Sequence, residues 1–194
     1  MGMLQGVAHS IGKALRPIHA GNDKLAIKRL QRNQDPTVVV TSDAFTDGGP
    51  LPRRYAKEGD NVSPPLRFAN LPPGTREVVV LCEDPDAPMP HPYLHWLAYR
   101  IEPGTTELPE GITQGAEVAE PMPHARQAKN ANGHLGYDGP APPPGHGVHH
   151  YHFQVFALDQ TPNLTSDADL KALETAMAGH VLASGELVAT YQKK

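Results

Sequence analysis

The chain has 194 residues, of which 39% are hydrophobic and 20% charged, a composition typical of one globular domain rather than a disordered chain. Its formal net charge of −4 argues against a general nucleic-acid partner. No uninterrupted apolar run exceeds five residues, and Cys82 is the single cysteine. We therefore expect no signal peptide, no integral membrane segment, no internal disulfide and a cytoplasmic location.

The N-terminal segment carries apolar residues at intervals of three and four: Leu4, Val7, Ile11, Leu15 and Ile18. This spacing predicts an amphipathic helix over residues 3–19, followed by a second short helix over Asp23–Arg32. Residues 1–36 are thus a predicted helical N-terminal extension, interpreted as a packing or dimerising arm. A membrane-surface helix is the weaker alternative, because only Lys13 and Arg16 supply charge in the first helix.

The remaining domain, residues 37–194, is predicted to consist mainly of β-strands. Eighteen of the 21 prolines lie between Pro50 and Pro144, so that region must combine strands with rigid loops. Strands are predicted at 37–42 (TVVVTS), 76–82 (REVVVLC), 95–101 (HWLAYRI), 149–159 (HHYHFQVFALD) and 185–191 (GELVATY), and a helix at 166–180 capped by Ser166. This pattern indicates a β-sandwich or barrel.

Alternation along two strands predicts which side chains face the core. In HWLAYRI, one face should hold His95, Leu97, Tyr99 and Ile101, and the other Trp96, Ala98 and Arg100. In the strand 149–159, His149 and Tyr151 share a face with Phe153, Val155 and Ala157, and should therefore point inward where the strand begins.

Polar residues cluster in the loops next to these strands. In EDPDAP (83–88), Pro85 and Pro88 stiffen the backbone, so Asp84 and Asp86 are either preorganised for a ligand or simply solvated turn residues. The segment GYDGPAPPPGHGVHHY (136–151) feeds the strand that carries His149 and Tyr151. Its glycines at 139, 145 and 147 allow close backbone approach to a ligand, and its prolines at 142–144 supply a rigid apolar wall.

Three kinds of site remain open on these residues. A metal site would draw on His91, His95, His149, His150 and His152 with Asp84 or Asp86, although no HExxH or CxxC motif is present. A hydrolase lacks the GxSxG motif, and Cys82 lies within an apolar strand. A binding pocket fits best: imidazole, tyrosine hydroxyl and backbone N–H groups hold an anionic oxygen cluster, while the carboxylates take an amine or orient the histidines.

The motifs DPDAP, HW and GPxPPxGxxxHxY occur in this order, and with this spacing the chain resembles the phosphatidylethanolamine-binding protein family. It is most similar to the YbhB/YbcL, or Raf kinase inhibitor-like, branch. The resemblance implies a mainly β protein, a Greek-key β-sandwich of two antiparallel sheets with a few peripheral helices. It also implies a pocket for phosphate or a phospholipid headgroup-like anion.

The resemblance assigns ligand-binding roles to Asp84, Asp86, Pro88, His95, Gly139, Pro142, Pro143, His149, Tyr151 and, from the C-terminal segment, Tyr191. It further implies a homodimer, a role as a regulator of a kinase or protease, and no catalysis, cofactor or metal. A metal-dependent enzyme using the His/Asp cluster is the alternative.

One position departs from the family pattern, since His150 stands where an arginine is usual. Alternation turns this position away from His149, and we expect it to pair with carboxylates. A histidine would weaken such a pair above pH about 6.5.

Overall fold

The computed structural model describes residues 2–30, 38–118, 122, 124–164 and 168–193, with side chains from residue 6 onward. Three helices are present in these ranges: α1 (Gly2–Leu15), α2 (Ala26–Leu30) and α3 (Leu170–Met177). Nine strands accompany them: β1 (Val39–Thr41), β2 (Gly49–Pro50), β3 (Leu66–Ala69), β4 (Glu77–Asp84), β5 (Tyr93–Ile101), β6 (Glu107–Leu108), β7 (Arg126–Gln127), β8 (His149–Leu158) and β9 (Val181–Tyr191).

The strands form two sheets. The larger has the order β2-β9-β8-β4-β5-β7 and the smaller the order β1-β3-β6. The prediction of a mainly β fold with two antiparallel sheets and few helices is confirmed, with one local exception: the two-residue strand β2 pairs with β9 in parallel. Pro50 is tolerated in β2 because this strand lies at the sheet edge, where one row of N–H groups has no partner to serve. The Greek-key connectivity stays a prediction.

Two apolar cores lie on opposite faces of the larger sheet. The first includes Phe68, Trp96 and Phe153 and lies between the two sheets. The second includes Leu81 and Phe156 and is covered by residues of α2 and α3. Strand β4 serves both cores, since every one of its residues is buried, and its unbroken VVVLC run follows from that position.

The N-terminal extension packs against the domain, but not through the predicted apolar stripe. Helix α1 ends at Leu15, and Val7 and Ile11 are each 55% exposed. The face that packs carries Gly12, where an added Cβ would lie 2.0 Å from the Pro144 carbonyl oxygen. The contact is therefore made between backbones rather than between large side chains.

The predicted second helix over Asp23–Arg32 is a 3-10 turn, Asn22–Lys24, followed by α2; its last residues lie outside the described ranges. Ala26 and Ile27 begin α2 deep in the second core, and their N–H groups donate to the Glu83 carboxylate (2.8 Å) and the Gln154 side-chain oxygen (2.6 Å). Side chains of the main sheet thus cap this short helix.

The C-terminal helix α3 begins later than predicted. Asp169 is its N-cap, and the carboxylate accepts a hydrogen bond of 2.8 Å from the Ala172 N–H. The predicted cap, Ser166, lies outside the described residues. None of the described helices is long and apolar enough to cross a bilayer.

Strand β5 breaks the predicted alternation through two irregularities. Cys82 of β4 lies opposite Trp96, whereas Glu83 lies opposite Leu94, so His95 is an extra residue without an opposite partner. A second shift occurs opposite Val78–Val80. Consequently Trp96, Ala98 and Ile101 belong to the first core, and Leu97 and Tyr99 to the second. The prediction that His95 shares a face with Leu97 and Tyr99 is wrong. The predicted alternation of β8 is confirmed, with Tyr151, Phe153, Val155 and Ala157 in the first core.

Candidate functional site

A pocket of about 430 Å³ opens where β4 ends and β5 and β8 begin. Eight of the ten predicted site residues line it: Asp84, Pro88, His95, Gly139, Pro142, Pro143, His149 and Tyr151. The stiff loops form two of its walls, as Ala87–Met89 lie on one side and Ala141–Pro143 contribute another part of the lining. Residues more than fifty positions apart in the sequence therefore meet at one site.

Asp84 and His149 form a buried pair on the pocket wall. The His149 Nδ1 lies 2.7 Å from the Asp84 Oδ2, and both residues are almost fully buried. The other ring nitrogen of His149, Nε2, lies 2.7 Å from Nδ1 of His146. Because both nitrogens have protein partners, His149 shapes the pocket rather than offering it a free nitrogen.

His95 is positioned by the backbone of the loop that contains Asp138. Its Nδ1 donates to the Asp138 carbonyl oxygen at 2.6 Å, which fixes the ring orientation. Burial lowers the pKa of His95 below its usual 6.5, against the opposing effect of the nearby Asp84 charge. The ring is therefore neutral at pH 7 with its hydrogen on Nδ1, and Nε2 has no protein partner among the described residues.

Tyr151 carries an unpartnered hydroxyl. The residue is fully buried, it lines the pocket, and its phenolic oxygen has no hydrogen-bond partner in the described part of the chain. Burial and the nearby Asp84 charge raise its pKa well above the usual 10, so the group keeps its hydrogen. Such an orphaned donor is uncommon in a folded protein, and a bound group or an ordered water that accepts its hydrogen would account for it. The edge of the His95 ring contacts Tyr151 with centroids 5.1 Å apart.

The third side of the pocket contains a second carboxylate, Asp138. Burial disfavours its charge, but hydrogen bonds from Lys57 (2.8 Å), Asn132 and Asn61 (3.4 Å) outweigh that effect and lower its pKa. Lys57 and Asn132 line the pocket as well. Each pocket carboxylate thus has its own hydrogen-bond donors. Lys57 and Asn132 donate to Asp138, and His149 donates to Asp84.

Asp86 does not line the pocket. Its Oδ2 accepts a hydrogen bond of 2.8 Å from the backbone N–H of His150 and lies 2.7 Å from Nδ1 of the same residue. His150 stands where the family has an arginine, and its side chain faces away from His149. As expected, it pairs with a carboxylate, that of Asp86, in the loop of residues 83–88, which we call the acidic loop. Since this pair is partly exposed, it fastens the loop to β8 with modest energy.

Tyr191 also lies outside the pocket lining. Its hydroxyl donates to the Glu58 carboxylate at 2.7 Å, beside a smaller neighbouring depression of about 250 Å³. The resemblance to the family had assigned it to the pocket; in the structure, Tyr191 lies directly opposite His149 in the β8–β9 pair. Tyr191 is therefore the cross-strand neighbour of a pocket residue without itself lining the pocket.

Gly139 is needed for packing rather than for a ligand's approach. A Cβ at this position would lie 2.1 Å from the Tyr55 carbonyl oxygen. We expect Gly139→Ala to lower the free energy of unfolding by about 1–3 kcal/mol, because the Tyr55 backbone must move. Urea denaturation measures the loss, and Gly104→Ala, where a Cβ meets nothing within 4 Å, is the matched control. Equal effects of the two substitutions would contradict this interpretation.

Of the histidines and acids proposed for a metal site, only Asp84, His95 and His149 line the pocket. His149 pairs with Asp84, His150 with Asp86 and His152 with Glu186, and His91 is exposed on another surface. Among the described residues, no group of three or more His, Cys, Asp or Glu side chains is arranged to hold a metal ion. Cys82 is buried, and burial raises the pKa of its thiol, which removes it as a nucleophile at neutral pH.

The comparisons with known proteins agree with this architecture. The family model described as phosphatidylethanolamine-binding protein matches residues 41–192, and the chain belongs to this family. A UPF0098 protein of Pyrococcus horikoshii is 43% identical over 177 residues, which cover 91% of this chain and 82% of that protein. A UPF0098 protein of Pyrococcus abyssi is 44% identical over 157 residues, or 81% of this chain and 86% of the relative.

Two solved structures are similar to the whole domain. Escherichia coli YbcL, described as a member of the mammalian PEBP family, superposes with a TM-score of 0.76 at 29% identity and covers 81% of this chain and 99% of its own. A PEBP homolog from Chlamydia trachomatis gives a TM-score of 0.72 at 33% identity, covering 82% of this chain and 100% of that chain. These relatives support the assignment of the main domain's fold to the family.

Sequence reasoning missed several pocket residues, chiefly Lys57, Tyr93, Asn132 and Asp138. Asp138 directly precedes Gly139, so its place in the GYDGP segment was an available signal. Lys57 and Asn132 come from irregular segments far apart in the sequence, and no local pattern marks them.

Proposed function

We propose that this protein binds a small phosphoryl-bearing anion in the pocket and performs no chemistry on it. The observation that carries the proposal is the buried, unpartnered hydroxyl of Tyr151. Leaving such a donor without an acceptor costs about 1–3 kcal/mol, and a ligand oxygen would remove that cost.

The charges around the pocket support an anionic group of small size. Lys57 supplies a permanent cation at the wall, and its partner Asp138 is already served by two asparagine side chains. The neutral His95 offers its free Nε2 as an acceptor, which suits a phosphoryl oxygen that carries its own hydrogen. Apolar wall residues such as Pro88 and Pro142 leave room for the rest of a headgroup.

The absence of catalysis is part of the proposal and rests on how the pocket groups are used. His149 is the histidine paired with a carboxylate, and its second nitrogen is engaged by His146. A general base needs a nitrogen within reach of the proton it abstracts. His149 has none to offer, and we assign the free Nε2 of His95 to ligand binding, since its ring is oriented by a neutral carbonyl rather than by a carboxylate. A regulatory role toward a kinase or protease stays a prediction. Co-purification with the unmodified chain and with the double variant Asp84→Ala/His95→Ala tests it.

The phosphoryl-binding proposal is tested by titrating inorganic phosphate and phosphoethanolamine into the protein and following ring signals by NMR. We expect the His95 and Tyr151 signals to shift in the millimolar range or below. A larger shift with phosphoethanolamine would indicate that a headgroup amine is also bound, whereas unchanged signals with both ligands would refute the proposal.

Tyr151→Phe separates binding from stability. Removing the hydroxyl should weaken phosphate binding by about tenfold, since one hydrogen bond to a charged group contributes about 1.5 kcal/mol or more. The free energy of unfolding should stay equal or rise, because the variant buries no unpartnered oxygen. Tyr191→Phe is the matched control: it loses a hydroxyl bonded to Glu58 outside the pocket and should bind phosphate normally. Isothermal titration and urea denaturation give the two quantities, and a Tyr151→Phe variant with unchanged affinity would contradict the role of this hydroxyl.

A further inference from the structure

Residues 12–21 cross both loops that wall the pocket, and we call this segment the strap. We propose that the strap holds the pocket walls in place, and that one proton shared along a chain from Asp84 through His149 and His146 locks it there. Only the effect of the strap on ligand binding rests on the proposed function. The strap itself, and the shared proton that holds it, are tested without ligand.

The first wall is held by two backbone hydrogen bonds. The N–H groups of Ala20 and Gly21 donate to the carbonyl oxygens of Ala87 (3.1 Å) and Pro85 (3.0 Å), in the loop that carries Pro88. His19 lies 3.6 Å from the Asp86 carboxylate of the same loop. The strap therefore adds an outer layer to the acidic loop.

The second wall is held at the start of the strap. Gly12 packs directly on the Pro144 backbone, and the Arg16 Nε donates to the Gly145 carbonyl oxygen at 2.8 Å. The Leu15 carbonyl oxygen lies 2.9 Å from Nε2 of His146. Since Pro142 and Pro143 line the pocket one to four residues before these contacts, movement of the strap would release this wall too.

The hydrogen count along the histidine chain shows what locks the strap. Three contacts run in series: Asp84 Oδ2 to His149 Nδ1 (2.7 Å), His149 Nε2 to His146 Nδ1 (2.7 Å), and His146 Nε2 to the Leu15 oxygen (2.9 Å). Each contact needs one hydrogen, so the complete chain needs three. Two neutral imidazoles and a carboxylate hold only two. The complete chain therefore contains one additional proton.

Loss of that proton should break the contact with Leu15. A hydrogen bond to the charged Asp84 is stronger than one to a neutral carbonyl, so the two remaining hydrogens stay on the Asp84 and His149 side. The lone pair of His146 Nε2 would then face the lone pairs of the Leu15 carbonyl, and the contact would become repulsive. Leu15 also ends α1, whose negative dipole end favours a positive charge on His146 while the proton is present.

Other titratable or charged groups surround this chain. His19, Tyr151 and His95 lie directly against members of the chain. The groups next to them or to the adjoining loops are His9 and Arg16 beside Gly145, and Asp86 with its partner His150. His19 and His150 both face Asp86 and strengthen the strap and the acidic loop when protonated. They act in the same direction as the shared proton, and the His146 variant below isolates the contribution of the histidine chain.

Amide hydrogen exchange of the ligand-free full chain tests the proposal, because the Ala20 and Gly21 amides report strap opening directly. After correction for intrinsic exchange, we expect their protection to fall about tenfold between pH 5.5 and pH 8, the range in which histidines lose protons. Protection of the amides from Phe153 to Leu158 in β8 should not change. Equal strap protection at both pH values would overturn the proton lock.

Two substitution pairs sharpen the test. Gly12→Ala favours helix formation but collides with Pro144, so it should lower strap protection at both pH values, while Gly6→Ala, which meets nothing, should not. His146→Gln retains a side-chain donor toward Leu15 without a titrating ring and should reduce the pH dependence to the part supplied by His19 and His150. His180→Asn replaces a distant histidine paired with Asp159 and should leave the pH dependence unchanged. A normal strap in Gly12→Ala, or a normal pH dependence in His146→Gln, would overturn the corresponding part of the proposal.

Phosphate titration of the same variants then connects the strap to the pocket. Gly12→Ala should bind phosphate several-fold more weakly than Gly6→Ala, since its walls are released. If no variant and no unmodified chain binds phosphate, the proposed function fails while the exchange results still decide the strap. If all bind equally well despite a released strap, the strap does not regulate the pocket.

Discussion

Replacing Glu83 with alanine is expected to lower the free energy of unfolding by about 3 kcal/mol. Glu83 is buried on the face of β4 opposite the pocket, next to Asp84 in sequence. Its carboxylate accepts hydrogen bonds of 2.8 Å from the Ala26 N–H and from the Gln154 side chain, and it lies 3.5 Å from an Arg29 nitrogen. The alanine variant leaves these donors without an acceptor in a buried position.

Glu174→Ala provides the matched control, because Glu174 is the other carboxylate that binds Arg29. Glu174 is partly exposed and receives no buried backbone donor, so its loss should cost less than about 1 kcal/mol. Urea denaturation of both variants measures the difference. Similar losses for Glu83→Ala and Glu174→Ala would show that the Arg29 ion pairs, rather than the buried donors, matter at this position.

The two neighbouring acids explain how a short sequence stretch serves both faces of the sheet. Glu83 fastens α2 to the second core, and Asp84 begins the histidine chain of the pocket. The sequence alone accounts for this division, since successive strand residues point to opposite faces. It did not predict the partner of Glu83, because α2 reaches this site only through the tertiary packing of the N-terminal extension.

The inward position of His149 and Tyr151 could be predicted because β8 keeps its register with β9 from His149 to Ala157 and with β4 from His152 to Leu158. His95 reaches the same pocket for a different reason. Strict alternation in β5 would have placed it beside Leu97 in the second core, whereas the bulge opposite Cys82–Glu83 turns it toward Tyr151. A bulge depends on the register of two strands, and HWLAYRI contains no glycine or proline to mark it.

The polar half of the pocket depends on loop geometry that local sequence does not encode. Lys57 and Asn132 meet at Asp138 although they lie 81 and 6 residues away from it in the chain.

The strap was also unexpected, because the apolar stripe of α1 suggested that its large side chains would pack. Glycine permits a closer backbone contact than any of those side chains, and Gly12 is therefore the residue that faces the domain.

Glu77, at the far end of β4 from the pocket, should make stability fall as the pH rises. It is buried, and one carboxylate oxygen accepts the Arg100 N–H at 2.9 Å. Burial raises its pKa from the usual 4.5 to about 7, because the charged form loses hydration. The folded state thus holds this proton more tightly than the unfolded chain. Its contribution is fully present below pH 4.5 and is lost as the pH rises through about 7.

The pKa difference corresponds to about 3 kcal/mol, and Glu77→Gln should isolate it. The glutamine keeps an oxygen that can accept the Arg100 N–H but cannot ionise. Urea denaturation from pH 4 to pH 8 should therefore show the variant gaining about 3 kcal/mol relative to the unmodified chain as the pH rises. Glu107→Gln, at an exposed position of β6, controls for loss of a surface charge and should run parallel to the unmodified chain. A constant difference between Glu77→Gln and the unmodified chain across this range would mean that Glu77 is already ionised in the folded protein, with the Arg100 N–H compensating for its burial.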